Sequence, residues 1–255
     1  LPEFRALDPR EAALATELAA GSLKRRRTLD AVLAQVSRHP LQSVSPPALA
    51  ALRLGAYQLL YLDRIPAHAA VDESVCLVAE AGSGTRGFVN AVLHRVAADG
   101  RRLLSQLAAD DRVRGMGVLE SYPDWLVHLW VDELGKQRAR QLMAAGNQPP
   151  ERCLRVNTLA GTPSQAIASL ASEGVRARAV EDFPEALIIE GVTVESTAPF
   201  RDGLVTPQSR GSQLAGSVAA EAVRPGAAVA DLCAAPGLKT AQLALARPGR
   251  LLAVE

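Results

Sequence analysis

Cysteine is scarce in this chain. There are three among 255 residues, Cys76, Cys153 and Cys233, and no two stand in C-x-x-C spacing. That scatter argues against a zinc site and a disulfide framework, so no metal is expected and a reducing, cytoplasmic setting is. Long apolar runs are absent too. Nothing approaches the ~20 residues that span a bilayer as a helix, and no signal-peptide pattern is visible, so no membrane partner is expected. An excess of one charge is also missing, since 28 Lys and Arg face 27 Asp and Glu. Without a global basic field, any nucleic-acid surface has to be local. The turn at Pro236-Gly237, between two apolar runs, does not have the Gly-x-Gly-x-x-Gly pattern, and with its proline this sets aside a nicotinamide dehydrogenase.

What is present divides by periodicity. Apolar residues make up 48% of the chain, enough for one large or two smaller cores, and a monomer is the default expectation. The first hundred residues read as five amphipathic helices. Asp8-Pro9-Arg10-Glu11 is a capping signal for the first. Leu29, Val32, Leu33 and Val36 mark the second. Pro46-Pro47 opens the third, Val71, Val75 and Val78 mark the fourth, and Phe88 to Val96 the fifth. His68 is assigned a capping or packing role, and Tyr57 and Tyr61 to the core. Asp99 to Gly117, charged and Gly-containing, reads as a linker or surface loop. A helix after Tyr122-Pro123 carries Trp125 and Trp130, both assigned to the core, and another runs from Lys136 to Ala145. Strands at Cys153–Val156, Val175–Val180 and Ala186–Glu190 then surround a helix that begins at Thr162-Pro163-Ser164-Gln165. This small α/β unit lacks an obvious aromatic platform for bases. A helix over Gly211–Ala222 follows.

The most informative stretch is Val229-Ala230-Asp231-Leu232-Cys233-Ala234-Ala235-Pro236-Gly237-Leu238-Lys239-Thr240. Ala227 to Cys233 reads as a buried strand, Pro236-Gly237 as a tight turn, and Thr240 to Ala246 as a helix. Strand, glycine turn and helix place backbone N–H groups and a helix N-terminus against a ligand. A second apolar run, Leu251 to Val254, ends on Glu255, where a carboxylate can accept hydrogen bonds from ribose hydroxyls. The combination points to an adenosine-containing cofactor.

This stretch resembles motif I of the RsmB/Sun/Fmu group of RNA 5-methylcytosine methyltransferases, usually Asp-x-Cys-Ala-Ala-Pro-Gly-Gly-Lys-Thr. Leu238 departs from it, replacing a second glycine. If that position takes positive φ, Leu238 is strained by roughly 1 kcal/mol or more. The helical region resembles the NusB-like RNA-binding domain fused to the front of RsmB-type enzymes. The matching segments are Thr16-Glu17-Leu18-x-x-Gly21, Arg25-Arg26-Arg27-x-Leu29-Asp30, Leu52 to Leu60, Arg64 to Val71, and Gly87 to Leu93. Arg155-Val156-Asn157-Thr158 matches the family's RVNT element, and the α/β unit around it is similar to an RNA-recognition-like module. The family's Gly-x-x-x-x-Gln followed by an acid is half met: Gln208 is present, but Ser209-Arg210 follows it.

The resemblance implies a multidomain chain: a NusB-like all-helical domain over 1–115, linker helices and the α/β module over 116–206, and the start of a Rossmann-like methyltransferase domain over 207–255. It implies S-adenosyl-L-methionine bound by Cys233, Ala234, Ala235, Pro236, Gly237, Leu238, Lys239 and Glu255. It also implies small-subunit ribosomal RNA as partner, with Lys24, Arg25, Arg26 and Arg27 contacting phosphates. A solvated helix start is the competing reading of those four. In the family a Cys thiolate attacks carbon 6 of cytosine so that carbon 5 can accept the methyl group. Both family cysteines and the base-contacting Asp lie downstream of Glu255, so no catalytic residue is assigned here, and Cys233 is expected as a small, packed loop residue. The rival reading is a non-catalytic NusB-like RNA-binding module with a vestigial methyltransferase segment. The C-terminal domain is expected to be incomplete and these 255 residues inactive alone, which a tritium-transfer assay on ribosomal RNA checks by showing no incorporation.

Overall fold

The computed structural model describes residues 7–110, 112–190 and 194–255, which fall into two compact units, Leu1–Gln148 and Pro149–Glu255. Residues 1–6 of the first expected domain and residue 111 of the expected linker lie outside the described residues.

The first unit is helical. Helix α1 (Pro9–Lys24) starts at the expected capping box: Asp8 accepts from the Arg10 and Glu11 N–H groups, and the Glu11 carboxylate accepts from the Asp8 N–H. Helices α2 (Arg26–Val36), α3 (Pro46–Tyr61), α4 (Ala67–Cys76) and α5 (Ser83–Ala109) enclose one core. Leu29, Val32 and Leu33 enter it from α2, Leu52 and Ala56 from α3, Val71 from α4, and Val89, Val92, Leu93 and Val96 from α5. Each set follows the three-and-four spacing of one helix face.

Packing explains the segments noted in the sequence. A Cβ at Gly21 would overlap the Tyr57 ring, so glycine lets α3 lie against α1, and the Tyr57 hydroxyl then donates to Glu17 at 2.5 Å. Burial and this carboxylate together push the Tyr57 hydroxyl's pKa well above the usual tyrosine range. A Cβ at Gly55 would come within 2.6 Å of Leu93 and 2.7 Å of Ser74, where α3 meets α5 and α4. Asp30 receives Arg53 in a fork at 2.7 and 2.8 Å.

Three expectations are corrected here. Asp99 to Gly117 is no loop: α5 runs unbroken for 27 residues to Ala109, and α6 (Val113–Glu120) follows. The charges misled, because Asp99, Arg101 and Arg102 sit on the outer face. Gly100 and Leu103 stay buried, and a Cβ at Gly100 would press on Leu60 at 2.6 Å. Trp125 is 67% exposed, not core, and of the pair only Trp130 packs, edge-on to Tyr122. His68 is exposed and makes no cap to α4. Helices α7 (Asp124–Leu134) and α8 (Lys136–Gly146) complete the unit around Met116, Val127 and Met143.

The second unit opens as β1 (Cys153–Val156), α9 (Pro163–Ser172), β2 (Ala177–Val180), β3 (Phe183–Ile189), α10 (Ala198–Arg201) and β4 (Val205–Pro207). The sheet is antiparallel in the order β2-β3-β1-β4, the split βαβ arrangement of ferredoxin-like modules. Leu154, Val156, Leu170, Val175, Leu187 and Val205 form its core. Strand β4 was not expected from the sequence, because three residues ending in Pro207 carry almost no periodic signal. Beyond it lie α11 (Arg210–Glu221), β5 (Ala228–Asp231), α12 (Leu238–Leu245) and β6 (Arg250–Ala253). Strands β5 and β6 pair in parallel, Ala228 opposite Arg250 through Asp231 opposite Ala253, forming one βαβ unit. The expectation of a buried strand is corrected as well: no residue of β5 is buried, since the described residues add no third strand to this pair.

Leu103→Ala separates helix from loop. A buried Leu in α5 predicts a loss of about 2–5 kcal/mol, read by urea unfolding, against about 0.5 kcal/mol or less for an exposed loop residue.

Candidate cofactor loop and its polar support

The 232–237 connection leaves the carboxyl end of β5 and is organised by the acids at the two strand ends. Asp231 accepts from the Cys233 N–H at 3.3 Å with one carboxylate oxygen and from the Thr240 hydroxyl at 2.6 Å with the other. It therefore ties the start of the loop to the first turn of α12. Glu255 accepts from the Ala235 N–H at 2.8 Å, and the Ala234 N–H donates to the Val254 carbonyl at 3.0 Å. The loop is thus pinned to both strands of the pair.

Gly237 is the N-cap of α12 at φ +94°, a conformation that L side chains rarely adopt. It carries no side chain to cap the helix, so the first N–H groups of α12 stay available to a ligand. Leu238 is the first residue of α12 and is not among the described non-glycine residues with positive φ. The expected strain on Leu238 is therefore absent, because the left-handed position falls one residue earlier, on a glycine.

Of the eight residues expected to hold the cofactor, Ala234, Ala235, Pro236, Gly237 and Glu255 line one concavity, together with Thr240, Ala241 and Leu251. Its walls are mostly apolar, and the Glu255 carboxylate and the N-terminus of α12 both border it. Cys233, Leu238 and Lys239 do not line it. Cys233 is exposed, which corrects the expectation of a packed residue, and Lys239 is exposed too. Leu238 instead lines a second concavity with Cys153, Gln208 and Ser212.

A buried polar relay that sequence reasoning missed holds α12. Arg155, 5% exposed, donates to the Gln208 side-chain carbonyl at 2.7 Å, joining two segments 53 residues apart. The Gln208 amide donates to Gln242 Oε1 at 2.7 Å, and the Gln242 amide donates to the Gln213 backbone carbonyl at 3.0 Å. Gln213 returns its amide to the Gln208 and Leu154 carbonyls at 2.9 and 3.2 Å. The relay couples β1 to α11 and α12, and so sets where α12 begins. Burial lowers the Arg155 pKa, and Glu185 acts in the opposite sense. A Cβ at Gly216 would overlap the Gln242 amide, so α11 needs glycine there for α12 to approach. The available signal was Gln242 itself, an amide inside the otherwise apolar face of α12. Among the described residues, no buried side-chain nitrogen or oxygen lacks a partner.

The Ser209-Arg210 departure also has a physical account. Ser209 is the N-cap of α11 and accepts from the Ser212 N–H, the role an acidic residue would fill at that position. Arg210 pairs with Glu151 at 2.5 Å.

In the helical unit the basic cluster divides. Arg25 bonds Glu120 at 3.2 Å and lies over the Tyr61 ring, and Arg27 bonds Asp124 at 2.5 Å and the Tyr122 carbonyl. These two arginines fasten the α1–α2 junction to α6 and α7. Lys24 and Arg26 are exposed.

Comparison with known proteins agrees with this architecture. The NusB family matches residues 1–98, and the ferredoxin-like domain of RsmF/B-like methyltransferases matches residues 122–195. A Bacillus subtilis (strain 168) protein described as "Probable ribosomal RNA small subunit methyltransferase B" is 34% identical over 234 residues, covering 91% of this chain and 51% of that protein. The Pseudomonas putida ribosomal RNA small subunit methyltransferase B is 32% identical over 245 residues, covering 95% of this chain and 54% of that protein. The crystal structure of PH0851 has the same fold, with a TM-score of 0.68 at 20% identity over 96% of this chain and 55% of that one. A NusB domain, a methyltransferase-type ferredoxin-like module and a βαβ loop define a methyltransferase-family chain. More narrowly, the chain carries a NusB-family domain and an RsmF/B-like ferredoxin-like domain, is similar over more than nine-tenths of its length to proteins described as ribosomal RNA small subunit methyltransferase B, and spans about half the length of those relatives.

The relay is open to direct test. Gln242→Leu removes the shorter acceptor of the Gln208 amide and a side-chain donor to the Gln213 carbonyl, and costs about 1–3 kcal/mol of stability in urea unfolding. Ser209→Ala costs about 1 kcal/mol, whereas Ser209→Asp leaves stability within about 0.5 kcal/mol of the parent.

Proposed function

We propose that this chain is the RNA-holding and cofactor-binding part of a methyltransferase that forms 5-methylcytosine in small-subunit ribosomal RNA with S-adenosyl-L-methionine, acting as a cytoplasmic monomer. The observation that carries the reading is the concavity at the carboxyl ends of β5 and β6. There a glycine N-cap, open N–H groups and the Glu255 carboxylate surround a largely apolar wall. These residues fit the cofactor chemically. Glu255 uses Oε2 on the Ala235 N–H and retains acceptor capacity for ribose hydroxyls. Ala241 and Leu251 offer an apolar surface to an adenine ring, and a Cβ at Gly237 would meet nothing within 4 Å, so the turn leaves room for a ligand. When bound, S-adenosylmethionine supplies the methyl group. This chain's residues hold and orient it.

We assign no nucleophile to Cys76, Cys153 or Cys233. Cys153 is buried, and burial pushes its thiol pKa up, outweighing the Gln213 amide that donates to its sulfur at 3.3 Å, so a reactive thiolate is disfavoured. For the RNA, we assign Lys24 and Arg26 to phosphate contact, and Arg25 and Arg27 to holding the α1–α2 junction in place. The limits 1–115, 116–206 and 207–255 serve as the proposed domains. The rival, a purely RNA-binding chain with a vestigial segment, loses two supports. Leu238 carries no left-handed strain, and Ser209 keeps the capping role.

Calorimetric titration of S-adenosylmethionine into the chain tests the proposal. Saturable binding is expected, and Gly237→Val should abolish it, because a β-branched residue is strained at φ +94° by roughly 1–2 kcal/mol and would intrude on the concavity. No binding by a chain whose circular dichroism shows it folded would favour the RNA-binding rival.

A further inference from the structure

We infer that the helical unit carries a second nucleic-acid contact, a groove along the connection between α2 and α3 that takes a single RNA strand. The inference rests on the RNA-binding reading above and adds a surface to it. Three concavities adjoin there. The first, between the end of α2 and the middle of α5, is lined by Arg38, Arg95 and Arg102. The second shares Arg38 and adds His39 and Arg53. The third shares His39 and adds Phe88. One continuous lining therefore runs from arginines at one end to an aromatic pair at the other, with the His39 and Phe88 rings 5.6 Å apart and edge-on.

The charge balance favours an anion. Two carboxylates line the groove, and both are already held. Asp99 takes Arg102 at 2.9 and 3.2 Å, and Asp30 takes Arg53 in its fork. Arg38 is exposed and, among the described residues, has no carboxylate partner. Arg95 gives one N–H to the Val36 carbonyl at 2.9 Å, closing the C-terminus of α2, and a guanidinium has further donors to offer. A positive excess therefore remains at Arg38 and Arg95. Basic residues that track a backbone, followed by aromatic faces that accept bases, are the two parts of a single-strand site. A duplex would offer the phosphates but hide the bases. The contrast with the 24–27 cluster is informative: half of that run is tied to internal carboxylates, while arginines 57 and 64 positions apart from Arg38 converge on it in the fold.

Fluorescence anisotropy of a labelled single-stranded oligoribonucleotide with the whole chain, across a salt series, tests the groove. For single strands the salt slope is about −0.7 per neutralised phosphate. Arg38→Ala should weaken binding and flatten that slope by about 0.7, Arg38→Glu should weaken it further, and Arg38→Lys should restore it, with thermal midpoints unchanged. Binding by the parent with unchanged affinity and slope in both Arg38→Ala and Arg38→Glu would overturn the groove while leaving RNA binding intact. A duplex of the same sequence bound as tightly as the strand would overturn the choice of ligand. Absence of any RNA binding by the folded parent would overturn the RNA reading and the groove with it.

Discussion

The position of α12 and of the loop before it depends on a chain of buried polar side chains. Arg155, Gln208, Gln242 and Gln213 lie 3–5% exposed between the ferredoxin-like sheet and the helices that follow it. Polar groups at such depth are costly unless each finds a partner, and here each does. That condition makes the relay specific. An apolar interface between β1, α11 and α12 could slide, whereas amides that must exchange donors and acceptors hold one register. The start of α12, the left-handed turn at Gly237 and the reach of Asp231 to Thr240 all follow from that register.

The helical unit solves a different problem, bringing helices close enough to exclude water. It does so with glycines at crossings, Gly21 under the Tyr57 ring and Gly55 beneath Leu93. Ion pairs then fasten segments that the apolar core does not reach. Arg25 and Arg27 act in this way on α6 and α7, and a Cβ at Gly117 would come within 2.9 Å of the Arg27 guanidinium, so the small residue makes room for it. A cluster that reads as a charged surface in one dimension is thus half structural in three. The groove at Arg38 shows the converse, residues that carry no signal in sequence becoming a charged track once α2 and α5 are packed.

Much of the architecture was legible because it rests on local chemistry. The capping boxes at Asp8 and Thr162, the apolar faces of α2 to α5 and the Pro-Gly turn of the loop are written within a few residues of where they act. Errors fell where burial decided against composition. Asp99, Arg101 and Arg102 made a helix look like a linker, although Gly100 and Leu103 continue the buried stripe. Trp125 looked like core because tryptophan usually is, but the side of α7 that carries it is uncovered. The open faces of β5 had the same cause, since apolar residues report a tendency to be buried and not what is available to bury them.

By itself the sequence determined the order of elements, the helix starts, the family resemblance and the loop whose Asp, Gly and Glu stand at chemically meaningful spacing. These are properties of neighbouring residues, governed by backbone preference and short-range hydrogen bonding. Only the tertiary structure decided which of those residues face one another: Glu255 against the Ala235 N–H, Arg155 against Gln208, Arg25 and Arg27 inward, Arg38 and Arg95 together. Such pairings join positions tens of residues apart, and they are selected by the requirement that buried polar groups be satisfied and apolar surface be covered at once. No local pattern carries that information.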